Sequence, residues 1–150
     1  MNPSNQEGLT LAQLIRTQSA VLIEHTVEQA CAQVPWYRTL PPEALHRMFN
    51  QDYQALARVL ESNDTAALRV YVVETGEQRL QTGAPAESLI AVATLIEENV
   101  RRLVDRELAG DPTAAHDATR RVQIVTRNIR MILSGINLRM VINARPRSPR

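Results

Sequence analysis

The stretch TAAHDATRRVQIVTRNIRMILSGINLRMVIN, residues 113–143, decides how the chain is read. It holds no proline, and its apolar residues recur at intervals of three and four rather than two, which predicts one long helix and not a strand. Two apolar stripes are legible on it. Val122, Val125, Ile129, Ile132, Ile136 and Met140 step like the seam of a coiled coil, while Ile124, Met131, Leu138 and Ile142 line a second side. In a small protein one stripe can be covered by the chain's own core, and the second then needs another burial partner, most simply another chain. The expectation is a homodimer whose interface is the seam from Val122 through Val125, Ile129, Ile132 and Ile136 to Met140.

Reading back from this helix, punctuation divides the rest of the chain. Gly110-Asp111-Pro112 gives a stop, an N-cap and a first-turn proline. Before it, Leu89, Ala93, Ile96, Val100, Leu103 and Val104 form the stripe of a helix that starts near Pro85 and ends near Leu108. Gly83 caps the helix before that one, which opens after the N-cap candidate Asp64 and turns Leu68, Tyr71, Val72 and Thr75 inward. A further helix ends near Glu61 and carries Leu45, Met48, Phe49, Leu56, Val59 and Leu60; Pro41-Pro42-Glu43 sets its first turn. The first helix runs from Thr10, which forms a capping-box pattern with Gln13, to about Val34, where Pro35 stops it. The prediction is an all-α, five-helix domain over residues 9–143, helical-bundle or globin-like, with 113–143 as a dimerisation and output helix. A disordered N-terminus is expected over 1–8 and a basic tail over 144–150.

Composition agrees with a single folded domain. Of 150 residues, 44% are hydrophobic and 22% charged, too apolar and too well mixed for a disordered chain. Aromatics make up only 3% and glycines number 5, so helix formers outnumber strand formers. The lone Cys31 excludes an intrachain disulfide and fits a reducing cytoplasm. Residues 1–8 lack the basic start and apolar run of a signal peptide, and no segment approaches the length of a membrane span, so neither export nor a membrane location is expected. All 17 basic residues are arginine. They are unevenly spread: residues 1–110 hold 9 Arg against 14 acids, whereas 111–150 hold 8 Arg against 2. That basic end could meet nucleic acid, but apolar residues separate its arginines at helical spacing, so several read as salt-bridging flanks of the seam.

Candidate chemistry is sparse. Glu43 and His46 stand one helical turn apart, as in bundle metal sites, but such sites need a second Glu-x-x-His unit and further carboxylates, and no metal is expected. His25 and His116 could be offered as haem ligands or bases, yet His25 lies on a mixed helix face and His116 reads as a solvated first-turn histidine, and no cofactor is expected. Cys31 falls on the first helix's apolar stripe and reads as core. Trp36 and Tyr37 put two of the few aromatics in one short loop, where they either plug the end of the bundle or meet a ligand or partner. With no glycine-rich phosphate loop and no nucleophile elbow, the chain does not read as an enzyme.

The stretch from Val34 to Leu45, with its Trp36-Tyr37 turn and Pro41-Pro42 pair, the following Glu61-Ser62-Asn63-Asp64 and the helix opening with Leu68, and then Gly83 to Leu89, resembles the RsbR/RsbRD-type N-terminal sensor domain. The likeness covers roughly residues 9–140. It implies a non-haem, globin-like helical module of bacterial signalling, found in stressosome co-antagonists and at the head of some histidine kinases. It implies too a dimer that biases an effector, either fused at the C-terminal side or carried on a separate protein. The function expected is therefore non-enzymatic sensing or scaffolding in the cytoplasm. A nucleic-acid-binding module using the Arg-rich end and a globin-like binder of a cofactor or small ligand are the alternatives.

Overall fold

Proline, glycine and side-chain caps break the chain where the sequence places them. The computed structural model describes the backbone over residues 3–144 and the side chains over residues 10–136. Helix α3 (Pro42–Ser62) has Pro42 in its first turn with Glu43 beside it, and ends at Asn63, whose φ of 56° is left-handed. Helix α4 (Thr65–Gln81) is capped by Asp64, whose carboxylate accepts from the Ala67 amide at 2.9 Å. Gly83, at φ 106°, lets the chain reverse into α5 (Ala86–Glu107). Asp111 then caps α6 (Pro112–Ala144) by accepting from the Ala114 amide at 3.1 Å. Among the described residues no strand occurs, and the all-α class stands.

The N-terminal third differs from the expectation. The single first helix is two, α1 (Pro3–Thr17) and α2 (Ser19–Gln33), so among the described residues six α-helices replace five; a 3-10 turn over Pro35–Thr39 follows. The break is a bend at Gln18 (φ −100°, ψ 14°), and hydrogen bonds from Gln18 N to Leu14 O and from Leu22 N to Gln18 O run across it at 2.9 and 3.0 Å. Residues 3–8, expected to be disordered, have helical backbone. Further along α1, Leu11, Ala12 and Ile15 are buried where it packs against α3, and that anchor supports the preceding turns. The basic tail expected over 144–150 lies, after Ala144, outside the described residues.

Helices α5 and α6 lie along one another, α1 and α2 both pack on α3, and α4 packs on α6. Phe49, Tyr53, Leu60, Val100, Leu103, Val104 and Val122 are sealed in the shared core, each large aliphatic or aromatic side chain contributing about 1.5–3 kcal/mol through burial. One polar knot crosses this core. The Thr26 hydroxyl donates to the Leu22 carbonyl (2.7 Å) and accepts from the Tyr53 hydroxyl (2.7 Å) and from Asn99 Nδ2 (3.1 Å), which also reaches Gln29 Oε1 at 2.8 Å. Every hydrogen on these buried groups that could be stranded is thereby used, and α2, α3 and α5 are held in one register. At the surface Arg16 pairs with Glu61, joining α1 to α3, and Arg121 donates to the Leu60 carbonyl (2.8 Å) and Asn63 Oδ1 (2.9 Å), fastening α6 to the end of α3.

Candidate ligand cavity and the outer face of α6

Between α3, α4, α5 and α6 lies a cavity of about 70 Å³. Its walls are mainly aliphatic, including Leu56, Val72, Leu89, Ile96, Ile129 and Leu133. The small residues Ala55, Gly76 and Ala93 all line it, and at Gly76 α4 comes close to α6, with the Ile136 and Leu133 methyls against the place a side chain would take.

One wall is ionic. Arg79 on α4 and Asp52 on α3 pair with side chains only 10% and 9% exposed, and both hydrogen bonds leave a single nitrogen, Nη2 to Oδ1 at 2.8 Å and to Oδ2 at 3.0 Å. The Tyr71 hydroxyl donates to the same Oδ1 at 2.7 Å. Burial works against the charge on Arg79, and the neighbouring Asp52 more than offsets it, so its pKa is raised. Tyr71 is pushed up as well, first by burial and then by the Asp52 charge. Across the cavity the Thr126 hydroxyl lies within reach of Glu97 Oε1 (2.8 Å) and of the Val122 carbonyl (2.9 Å), and Glu97 in turn pairs with Arg130 at 3.0 Å, which ties α5 to α6.

The stripe of α6 expected to form an interface is the one turned inward. Val122 is 0% exposed, Ile136 1% and Ile132 7%, all inside the chain's own core, with Val125 and Ile129 packed partly buried against it. That seam is therefore spent on the fold and is not a free interface; the side chain of Met140 lies outside the described residues. The outer stripe is the uncovered one, with Ile124 60% and Met131 69% exposed, seven residues apart and so nearly in line on the helix. Arg120, Arg127, Ser134 and Gly135 are exposed beside them, and a Cβ on Gly135 would meet nothing within 4 Å. Side chains of the other two outer positions, Leu138 and Ile142, lie outside the described residues.

The other candidates resolve individually. Tyr37, offered as a partner or ligand contact, is fully buried: it meets Trp36 edge-on at 5.1 Å and Phe49 at 5.7 Å, and Trp36 Nε1 closes on the space beside Gly83. Tyr37 is thereby the packed ring of the two, while Trp36 stays half-buried at the edge of the core. Burial pushes the Tyr37 pKa up, and the nearby Arg79 charge pulls it the other way. His46 is exposed and its Nδ1 donates to the Pro42 carbonyl at 2.8 Å. His25 and His116 are exposed and line no wall of the cavity, so neither can offer an imidazole to an occupant. Cys31 is half-buried on the core's edge. Of the arginines expected to make a nucleic-acid surface, Arg121 and Arg130 are engaged within the fold, Arg120 and Arg127 stand out from it, and the side chains of Arg139, Arg145, Arg147 and Arg150 lie outside the described residues.

The cavity and its ion pair escape a sequence reading because Tyr71 and Asp52 are 19 residues apart and Arg79 and Asp52 27. The one available signal is Arg79 itself, a charge continuing the inward stripe of Leu68, Val72 and Thr75 on α4. Among the described residues no helix is long and apolar enough to cross a membrane. The chain matches no protein-family model and no curated protein.

Proposed function

We propose that this chain is a non-enzymatic sensory or regulatory module of bacterial signal transduction, working in the cytoplasm through self-association and a protein effector. The observation that carries the reading is the position of α6. Thr126, Ile129 and Leu133 on one side of it line the cavity, while Ile124 and Met131 on the opposite side are bare. A single rigid element therefore touches both an internal binding space and an external apolar surface, the arrangement needed for occupancy of one to bias the other. The resemblance of residues 9–140 to the RsbR/RsbRD-type sensor domain supports the same reading and a globin-like comparison for the fold. The outer stripe is the self-association surface in this proposal, with Arg120 and Arg127 as its charged flanks and Ser134 and Gly135 allowing close approach.

Sedimentation of the chain with Ile124→Glu and Met131→Glu combined tests it. The expected result is a dimer converted to a monomer with an unchanged circular dichroism spectrum. A species whose mass is the same with and without the two substitutions would remove the outer stripe as an interface.

A further inference from the structure

The wall chemistry of the cavity narrows what it can hold. On this measure a water needs roughly 10–15 Å³, so about 70 Å³ takes several waters or one small organic molecule. Water is poorly served there, since it wants two to four polar partners and the walls around Leu56, Val72, Ile96, Ile129 and Leu133 supply none. An apolar occupant is better matched.

The polar groups then set which apolar occupant. Asp52 already accepts from Arg79 and from Tyr71, and the Tyr71 and Thr126 hydrogens are committed to Asp52 and to the Glu97 and Val122 oxygens. Arg79 is different. Both of its hydrogen bonds leave through Nη2, and among the described residues nothing accepts from its Nη1 or Nε, although the residue is 8% exposed and lines the cavity. The donors left without an acceptor are thus those of Arg79, and a ligand that accepts a hydrogen bond is the one that meets them. Charge decides the rest. Asp52 neutralises Arg79, so a carboxylate or phosphate would bring an uncompensated charge into an apolar space, whereas a neutral acceptor gains a charge-assisted hydrogen bond without adding one.

We infer that the cavity between α3, α4, α5 and α6 is a binding site for a small, neutral, largely apolar molecule bearing one carbonyl oxygen, which accepts from the unused N–H groups of Arg79. This rests on the proposed sensory function, to which it supplies the class of ligand.

The test compares three probes of similar shape on the full chain by methyl chemical shifts: cyclohexanone, methylcyclohexane and cyclohexanecarboxylate. Cyclohexanone is expected to bind at least about tenfold tighter than either of the others, the margin of one charge-assisted hydrogen bond. Its shifts should centre on the Leu56, Val72, Ile96, Ile129 and Leu133 methyls. Ala93→Leu, and independently Ala55→Leu, should weaken it by about tenfold or more by filling the space a ring would occupy. Carboxylate binding as tight as ketone binding overturns the charge argument, and equal binding of the hydrocarbon overturns the role of Arg79. Shifts centred elsewhere, or no binding by any probe, overturn the site. If the ketone fails while the Ile124 and Met131 substitutions still dissociate the dimer, only this inference falls; if the ketone binds and those substitutions change nothing, the site survives and the self-association reading does not.

Discussion

Gly76 on α4 sits so close to Ile136 on α6 that a Cβ added to it would lie 3.2 Å from Ile136 Cδ1, with Leu133 Cδ2 at 3.3 Å. Both contacts are the free ends of aliphatic side chains, and Leu133 borders the cavity, so there is space for them to yield. Gly76→Ala should therefore keep most of the roughly 1 kcal/mol that alanine gains over glycine inside a helix and raise the urea midpoint. Gly76→Leu, whose branch cannot be absorbed in the same way, should cost about 1–3 kcal/mol by overpacking. Equal losses for both substitutions would contradict the idea that the α4 and α6 contact can give.

Asp52 and Arg79 should behave as a unit. Asp52→Ala leaves a buried guanidinium unpaired and should destabilise the chain by about 3–5 kcal/mol, whereas Asp52→Leu combined with Arg79→Met should cost far less than that single change. Urea titrations of the single and double variants read the coupling directly, and additive losses would show that the pair does not interact across the cavity wall.

The Tyr53 hydroxyl, buried and hydrogen-bonded to Thr26, is pushed up to about 12 from an ordinary value of 10.0, mainly by burial. A pKa raised in the folded state favours the protonated, folded form, so its contribution is complete below pH 10 and is lost as pH climbs toward 12. Stability should fall over that window, and Tyr53→Phe should flatten the fall while lowering stability at neutral pH by roughly 0.5–1.5 kcal/mol, the net worth of one hydrogen bond, since Thr26 still accepts from Asn99. Denaturation midpoints as a function of pH check both halves; an unchanged alkaline slope in the variant would place the loss elsewhere.

Glu61 gives the acid counterpart. Its pKa is lowered by the hydrogen bonds from Arg16, so the pairing of α1 with α3 is present above the ordinary carboxylate range and is lost as pH falls through the depressed value. Both partners are well hydrated, so Glu61→Gln should change global stability by less than about 1 kcal/mol while speeding amide exchange in α1 measurably more than in α5. Equal acceleration in the two helices would speak against a local role for the pair.

The two stripes of α6 should separate cleanly under mutation. A charge at Ile132 or Ile136 enters the core and should unfold the chain, whereas a charge at Ile124 or Met131 should leave circular dichroism untouched. Folded, dissociated protein from Ile132→Asp would restore the inner seam as an interface.

How much of this could be read from residues alone depends on whether the cause is local. Pro42, Asp64, Gly83, Pro85, Asp111 and Pro112 act on their own backbone, and the boundaries they set are where the sequence predicts them. The bend at Gln18 has no proline or glycine to announce it, and the hydrogen bonds that cross it keep the residues helix-like on both sides. The stripes of α6 were visible as stripes, but which one turns inward is settled by α4 and α5 and not by α6. Tyr37 and Trp36 are legible as a plug or a contact, and only the packing against Phe49 buries Tyr37. The cavity is set by where Gly76, Ala55 and Ala93 fall in three dimensions, and nothing in the order of residues marks that meeting.

The Thr26, Tyr53 and Asn99 knot has a mechanical consequence. Sliding or twisting α2, α3 and α5 against one another would break three directional bonds in a dry interior at once, so this half of the molecule acts as a chassis. The α4 and α6 side meets around Gly76 through methyl groups, which have no preferred bearing and can shift by fractions of an ångström at small cost. Any deformation driven from inside is thereby channelled toward α6, whose outer flank carries Ile124 and Met131 uncovered.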